Sequence, residues 1–331
     1  DILKEVCMVM FFTSVGFQAN IKVLRAGGLS LLVFLVCLFV LIVVQNLTAV
    51  GLSGLLDISP LIGMCTGSIP MVGGHGTAGA FGPVLEEAGV AGANAVAIAS
   101  ATFGLVAGCM IGGPLAYRRI HSLNLKSTET ATGSDEVTVD KNEVTGAIDS
   151  RRFLDSALYL AIAIGAGTIV SLFLNKLMTF PSYIGAMVVA AIIRNIVDAT
   201  HKDMPMEEIS TIGSFSLSLF LGLAMMGLKL WQLAELALPM IVMLAAQTVL
   251  MAIFAYFVVF NLLGKNYDAA VMTSGFCGFG MGATPNAMAN MQAITSKYGP
   301  APTAYFVVPL VGSLFIDFFN ALIITTFMNF L

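Results

Sequence analysis

The sequence predicts an all-α integral membrane protein built as an inverted repeat, with five transmembrane helices plus one re-entrant hairpin in each half. Three observations carry that expectation. The 331 residues are 58% hydrophobic and only 10% charged, with a mean hydropathy of +0.93, whereas a soluble domain carries roughly 25% charged residues. Several apolar runs reach the ~20 residues that a bilayer-spanning helix needs. Two glycine-rich stretches interrupt those runs at matching places in the two halves, Val72-Gly73-Gly74-His75-Gly76-Thr77-Ala78-Gly79-Ala80-Phe81-Gly82 and Gly278-Phe279-Gly280-Met281-Gly282-Ala283-Thr284-Pro285-Asn286.

Taken in order, the first span is expected at 1–19 around the apolar run from Val6 to Phe17, and the second at 29–50. The segment 58–88 is not apolar and unbroken for long enough to cross as an ordinary helix. It reads as a short helix, a glycine-rich tip and a second short helix, which is a re-entrant hairpin. A third span follows at 92–117. Residues 121–150 are polar, acidic and without helical or strand period, and they lie between Arg118-Arg119 and Arg151-Arg152. That composition marks a solvated cytoplasmic linker between a first repeat, 1–120, and a second, 151–331. Further spans are expected at 153–174, 181–198, 211–229 and 237–262; a second hairpin fills 268–297 and a last span 302–329.

Aligning Gly74-His75-Gly76 with Gly280-Met281-Gly282 needs no gap through the two breaks; Thr66 then falls on Met272, Ser68 on Ser274 and Glu86 on Gln292. After a small loop shift Gly16 matches Gly227, and downstream Gly104 matches Gly312. The spans at 153–174 and 181–198 have no counterparts in the first half. The repeat therefore predicts two further helices before Asp1, which this chain lacks. An odd number of spans per half inverts the second half, and lysine and arginine test the inversion because they favour cytoplasmic loops. With the linker inside, twelve of the 15 fall inside and only Lys4, Lys176 and Lys229 outside.

Glycine lets the backbone leave the helix, and in a bilayer that is tolerated only where protein or a water-filled cavity satisfies the freed peptide groups. Two such breaks in corresponding places point to the binding site of a transporter. N–H groups at the start of the short helices, after Gly76 and Gly282, suit a carboxylate. Carbonyls at the end of the preceding half-helix suit Na⁺. The competing reading of glycine is close packing, and it is preferred for the GxxxG pairs Gly63/Gly67 and Gly108/Gly112. Ser68, Thr77, Ser274, Thr284 and Asn286 flank the tips and suit hydrogen bonds to substrate or ion, though any one can instead cap a half-helix. His75 either donates to a substrate carboxylate or satisfies loop carbonyls, and its counterpart Met281 rules out a symmetric pair.

Asp317 stands deep in the last expected span, with Asn320 one turn onward. An intramembrane carboxylate is a functional residue by default; here it holds an ammonium group or Na⁺, or is paired structurally with a neighbouring helix. Ser274 and Asn320 are the oxygen donors expected to join Asp317 around Na⁺. Gln247 and Asn94 are weaker candidates of the same kind, and Glu86 and Glu87 read as a solvated face. The five cysteines, Cys7, Cys37, Cys65, Cys109 and Cys277, are isolated on apolar runs and read as helix-packing residues. A net charge of −4 with scattered basic residues argues against nucleic acid. The motifs GxSxG, HExxH and GxxxxGK[ST] do not occur, so the sequence does not read as an enzyme.

Several long runs resemble the glutamate:sodium symporter family of bacteria. They include Gly73-Gly74-His75-Gly76-Thr77, Ala101-Thr102-Phe103-Gly104-Leu105-Val106, Leu217-Ser218-Leu219-Phe220-Leu221 and Met226-Gly227-Leu228-Lys229-Leu230-Trp231. Gly264-Lys265-Asn266-Tyr267-Asp268-Ala269-Ala270, Cys277 to Pro285, Ala289-Asn290-Met291-Gln292-Ala293-Ile294 and Phe315-Ile316-Asp317 extend the likeness to essentially the whole chain except the linker. The resemblance implies a multi-pass protein of the bacterial inner membrane that imports L-glutamate with Na⁺. It also implies two re-entrant hairpins in inverted halves of five helices. The family's relatives among sodium-coupled citrate carriers imply a homodimer with an elevator-type motion. By motif, the substrate site falls at Ser68 and Gly73, Gly74, His75, Gly76 and Thr77, with Gly280, Gly282, Thr284 and Asn286. The alternatives are a Na⁺-coupled carrier of another organic anion such as citrate and, from a different class, a channel or a structural membrane protein.

Overall fold

Long apolar runs close their backbone hydrogen bonds internally, and the computed structural model of the chain has helices and no strand among the residues it describes, 2–19, 28–127, 150–175, 183–200, 204–226, 233–314 and 316–331. In chain order the helices are α1 (Ile2–Gln18), α2 (Gly28–Leu55), α3 (Pro60–Met64), α4 (Ser68–Met71), α5 (Gly74–Glu87), α6 (Ala93–Ser122) and α7 (Ser150–Leu174). Then follow α8 (Tyr183–Ala199), α9 (Met206–Met226), α10 (Leu233–Ile253), α11 (Tyr267–Gly280), α12 (Thr284–Tyr298), α13 (Pro302–Leu314) and α14 (Ile316–Phe330). Linker residues 128–149, together with Lys22, Arg25, Lys176, Lys202, Gly227, Lys229 and Trp231, lie outside the described residues.

Helices over Gly28–Leu55, Ala93–Ser122, Ser150–Leu174 and Leu236–Leu262 are each long and apolar enough to cross a membrane. A fifth span results if α13 and α14 are counted together. At 17 residues each, α1 and α8 sit at the short end of what crosses a bilayer. The expected single span 302–329 is in fact bent by 44° between Val311 and Ile316. Gly312-Ser313 lies in the bend, and a Gly/Ser pair is a recurrent cause of sharp kinks. The bend moves Asp317 from the middle of a continuous helix to the first turn of α14, where a negative charge favours the helix dipole.

Small side chains bring the helices together, since lipid removes most of the hydrophobic incentive for helices to associate. α1, α7, α8 and α9 form one bundle. Gly16 of α1 abuts the Met187 carbonyl and Ala190 of α8, and Gly167 of α7 lies on Gly185 and Ala186. The larger apolar core surrounds α11, with Leu38 and Leu41 from α2, Phe254 and Phe260 from the continuation of α10, and Phe276 at its centre. α6 joins it, laying Gly104, Gly108 and Gly112 on the carbonyls of Met281, Cys277 and Ser274. Beyond Ile253, α10 widens to a π-helical stretch, Phe254–Val259. There the Tyr256 carbonyl accepts from Arg119 Nη2 at 2.6 Å, and the guanidinium lies 3.6 Å from the centre of the Tyr256 ring.

The two broken segments have different local structure, for a reason visible in the alignment of the halves. Pro70 occupies the position of Phe276. Proline has no N–H and resists a helix interior, so the first segment is divided into α3, α4 and α5, with turns at Cys65–Gly67 and Val72-Gly73. In the second, α11 runs without interruption to Gly280, and only Met281–Ala283 separates it from α12.

Candidate functional site

The two glycine tips meet. Gly74 adopts φ +56°, a left-handed conformation that other residues enter only with strain. A Cβ added there would stand 3.0 Å from the carbonyl oxygen of Gly282. Around this contact α6 and α2 act as struts. Asn286 Nδ2 donates to the Leu105 carbonyl at 2.9 Å, and Asn290 Nδ2 donates to the carbonyls of Gly108 at 3.0 Å and Ser274 at 3.1 Å. From α2, Gln45 Nε2 donates to the Gly280 carbonyl at 2.9 Å, while the adjacent Asn46 accepts from the Ser68 N–H through Oδ1, also at 2.9 Å. Consecutive residues on a helix point about 100° apart, because 3.6 residues make a turn. One dipeptide thereby holds both broken segments.

The start of α5 presents three peptide N–H groups, those of Gly74, His75 and Gly76. The first backbone bond into the Gly73 carbonyl is made by Thr77, and no backbone acceptor meets the three before it among the described residues. This is the ordinary shortfall at a helix start, and it favours an anion. The second tip has less to offer. Pro285 has no N–H and Asn286 already donates to the Ala283 carbonyl, which leaves Thr284. The anion-binding character expected of both tips is concentrated at the first.

The structure distributes the other expected residues unevenly. His75 Nε2 lies 3.0 Å from Thr102 Oγ1 on α6, a contact to a neighbouring helix and not to loop carbonyls. Thr77 is buried against Gly73, and Thr284 is partly exposed at the second tip. Ser274 and Asn320, expected to share a cation, stand at different breaks. Ser274 Oγ donates to the Asn290 carbonyl at 3.4 Å, whereas Asn320 Nδ2 donates to the Ser68 carbonyl at 3.2 Å. Asp317, partly buried one turn before Asn320, has no hydrogen-bond or ion-pair partner among the described residues. The reading of Asp317 as paired with a neighbouring helix therefore finds no support.

The packing readings fare well. Gly63 lies on Ala49 and Ser53 of α2, Gly67 on Asn46, and Gly112 on Asn290. Cys7, Cys37, Cys65 and Cys277 are buried, while Cys109 is exposed on α6. Glu86 is exposed, its Oε1 accepting from the Asn94 N–H at 3.3 Å. Two residues that sequence reasoning passed over, Gln45 and Asn46, are fully buried at the centre. Their signal was present, as adjacent amides directly after a run that is apolar from Leu31 to Val44 and within the same expected span. Gln247, named only as a weaker candidate, donates to the Gln45 carbonyl at 2.9 Å.

A sequence profile described as sodium/glutamate symporter matches residues 1–300. The chain belongs to the sodium/glutamate symporter family. It is 43% identical to the sodium/glutamate symporter of Escherichia coli (strain K12) over 333 aligned positions, covering 98% of this chain and 82% of that protein. It is 38% identical to the sodium/glutamate symporter of Haemophilus influenzae, over 96% of this chain and 80% of the relative. No solved structure matches the chain. The relatives carry the names of transporters and not of enzymes, and the apolar helices are those of a membrane protein.

Proposed function

We infer that this protein imports L-glutamate across a bacterial inner membrane, coupled to Na⁺. The observation that carries the reading is the meeting of the two tips, with Gly74 packed against the Gly282 carbonyl. At that contact three free N–H groups face a substrate carboxylate, and the dipole of α5 adds to their attraction. The substrate lies between Gly73–Thr77 on one side and Gly280, Gly282, Thr284 and Asn286 on the other. Asp317 supplies the negative charge that an α-ammonium group or Na⁺ requires. The names of the relatives, at 43% and 38% identity, support glutamate and Na⁺ as the transported pair.

The broken segments are re-entrant hairpins that enter from opposite sides of the membrane, each belonging to one of two inverted repeats. The tip-bearing helices move as a body against the bundle of α1, α7, α8 and α9, and the bundle forms the scaffold of a homodimer. The boundary between them supports sliding, since α5 meets the bundle through Gly76 and Gly79 against Phe11, Leu217 and Phe220. Movement follows when both Na⁺ and glutamate are bound and not when only one is. Otherwise the Na⁺ gradient would dissipate without work.

The test is uptake of radiolabelled L-glutamate by proteoliposomes, with and without an inward Na⁺ gradient. Accumulation that requires Na⁺, saturates, and is competed by unlabelled glutamate but not by citrate is the expected result. Uptake indifferent to Na⁺ overturns the coupling. Competition by citrate moves the substrate to another organic anion, and flux that neither saturates nor accumulates would mark a channel.

A further inference from the structure

The first break gathers buried polar atoms that the chain itself does not satisfy. Ser68 Oγ and Asn320 Oδ1 have no hydrogen-bond partner among the described residues, although both side chains are fully buried. They belong to one place, because Asn320 Nδ2 donates to the carbonyl of Ser68 at 3.2 Å and so keeps the amide oxygen beside that residue. Asn46 grips Ser68 from α2 by accepting its N–H, which turns the Asn46 Nδ2 donor away from the Ser68 N–H and leaves it unpartnered. A third oxygen comes from the backbone. In a continuous helix the Thr66 carbonyl would accept from residue 70, but that residue is Pro70 and has no N–H. Among the described residues no other backbone N–H reaches it.

Ser274, the counterpart of Ser68 in the second half, lacks this shortfall. At the corresponding place Phe276 leaves α11 unbroken, Ser274 Oγ donates to the Asn290 carbonyl, and the Ser274 carbonyl accepts from Asn290 Nδ2. The breaks thus differ at this position: Ser68 Oγ and the Thr66 carbonyl stay unfilled at a buried point, whereas Ser274 is bonded through both its hydroxyl and its carbonyl. Buried polar groups without partners are costly, and a bound group is one reason they persist.

We propose that a Na⁺ ion binds at the first break, ligated by Ser68 Oγ, Asn320 Oδ1 and the Thr66 carbonyl. This proposal rests on the Na⁺-coupled reading above and locates its ion. The donors are neutral oxygens, which suit a hard monovalent cation. Ca²⁺ sites draw on carboxylates and transition-metal sites on histidine or cysteine, and no cluster of three such groups exists among the described residues. Asp317, one turn before Asn320, adds a negative potential without being required as a ligand. The location also explains how the ion can act on the substrate. The Ser68 carbonyl accepts from the N–H groups of Val72 and Gly73, so an ion held at Ser68 and Asn320 steadies the turn leading to Gly74. The free N–H groups that would hold the glutamate carboxylate begin there.

The test reads the ion without the substrate. The full chain, purified in detergent, is unfolded thermally over a series of NaCl concentrations, with choline chloride keeping ionic strength constant and glutamate absent. Wild type is expected to gain stability as Na⁺ rises. Ser68→Ala removes a hydroxyl that has no partner, so a purely structural role predicts an unchanged Na⁺ response. The proposal predicts that the Na⁺ concentration for half-maximal stabilisation rises about tenfold or more. Ser68→Thr, which keeps the hydroxyl, should restore it to near the wild-type value. If Ser68→Ala does not fold, Asn320→Ala is measured in the same way.

A wild-type response that Ser68→Ala and Asn320→Ala both retain overturns the site while leaving Na⁺ coupling intact. A Ser68→Ala defect that appears only when glutamate is added at saturating Na⁺ makes Ser68 a substrate ligand and also overturns the site. Wild type that does not respond to Na⁺, with uptake equally indifferent to it, overturns both the site and the coupling.

Discussion

Contact between the tips can be tested by adding one methyl group. Gly74→Ala imposes two separable penalties. An L-residue at φ +56° is strained by about 1–2 kcal/mol relative to glycine. The new Cβ would also lie 3.0 Å from the Gly282 carbonyl oxygen, where overpacking against backbone adds at least about 1 kcal/mol. Gly28→Ala is the matched control. Its φ of +65° brings comparable strain, but no atom stands within 4 Å of its added Cβ. The difference between the two variants isolates the contact, and about 1 kcal/mol corresponds to about a fivefold change in the population with touching tips. In proteoliposomes, Gly28→Ala should take up glutamate at close to the wild-type rate. Gly74→Ala should be slower by about fivefold, at equal amounts of folded protein by size-exclusion chromatography. Equal deficits in the two variants would refute the reasoning, because the tip contact would then contribute nothing.

Two further outcomes follow from the same geometry. Asn290→Ala strips the carbonyls of Gly108 and Ser274 of their side-chain donor in a buried setting, which should cost about 1–3 kcal/mol and lower the thermal midpoint in detergent by several degrees. Asn290→Asp, deprived of the donor, should do no better, and an unchanged midpoint in either variant would remove the clamp from the account. Asp317→Asn should weaken Na⁺-dependent uptake while the protein remains folded. Wild-type uptake by that variant would return Asp317 to a packing role.

Much of the architecture was legible in the chain because membrane helices must satisfy their own backbones over a fixed thickness. Apolar runs near 20 residues announce helices, and glycine and proline inside them announce breaks. The tips around Gly74 and Gly282, the strip Gly104/Gly108/Gly112 and the charge at Asp317 were therefore visible as exceptions to an apolar background. The bend after Val311 was signalled by Gly312-Ser313, but the run around it stays apolar and reads as continuous. Which broken segment would be divided twice was also written in the chain, through Pro70 against Phe276. That contrast acquires meaning only when the halves are superposed.

The partners of buried polar residues depended on the tertiary structure. A run of apolar residues leaves the rotation of its helix undetermined, so nothing local says that Gln45 turns to Gly280 while Asn46 turns to Ser68. Nor does spacing indicate that Asn320, 252 residues away, would bond the Ser68 carbonyl, or that Ser274 would be closed off by Asn290. By itself, the sequence determined a helical membrane protein with two paired interruptions and an acidic residue within its last apolar run, because composition and periodicity follow from the bilayer. Packing decided that the interruptions touch, and that Ser68 Oγ stays unfilled while its counterpart Ser274 is bonded to Asn290. Those outcomes depend on which helix faces bring amides and carbonyls within hydrogen-bond reach.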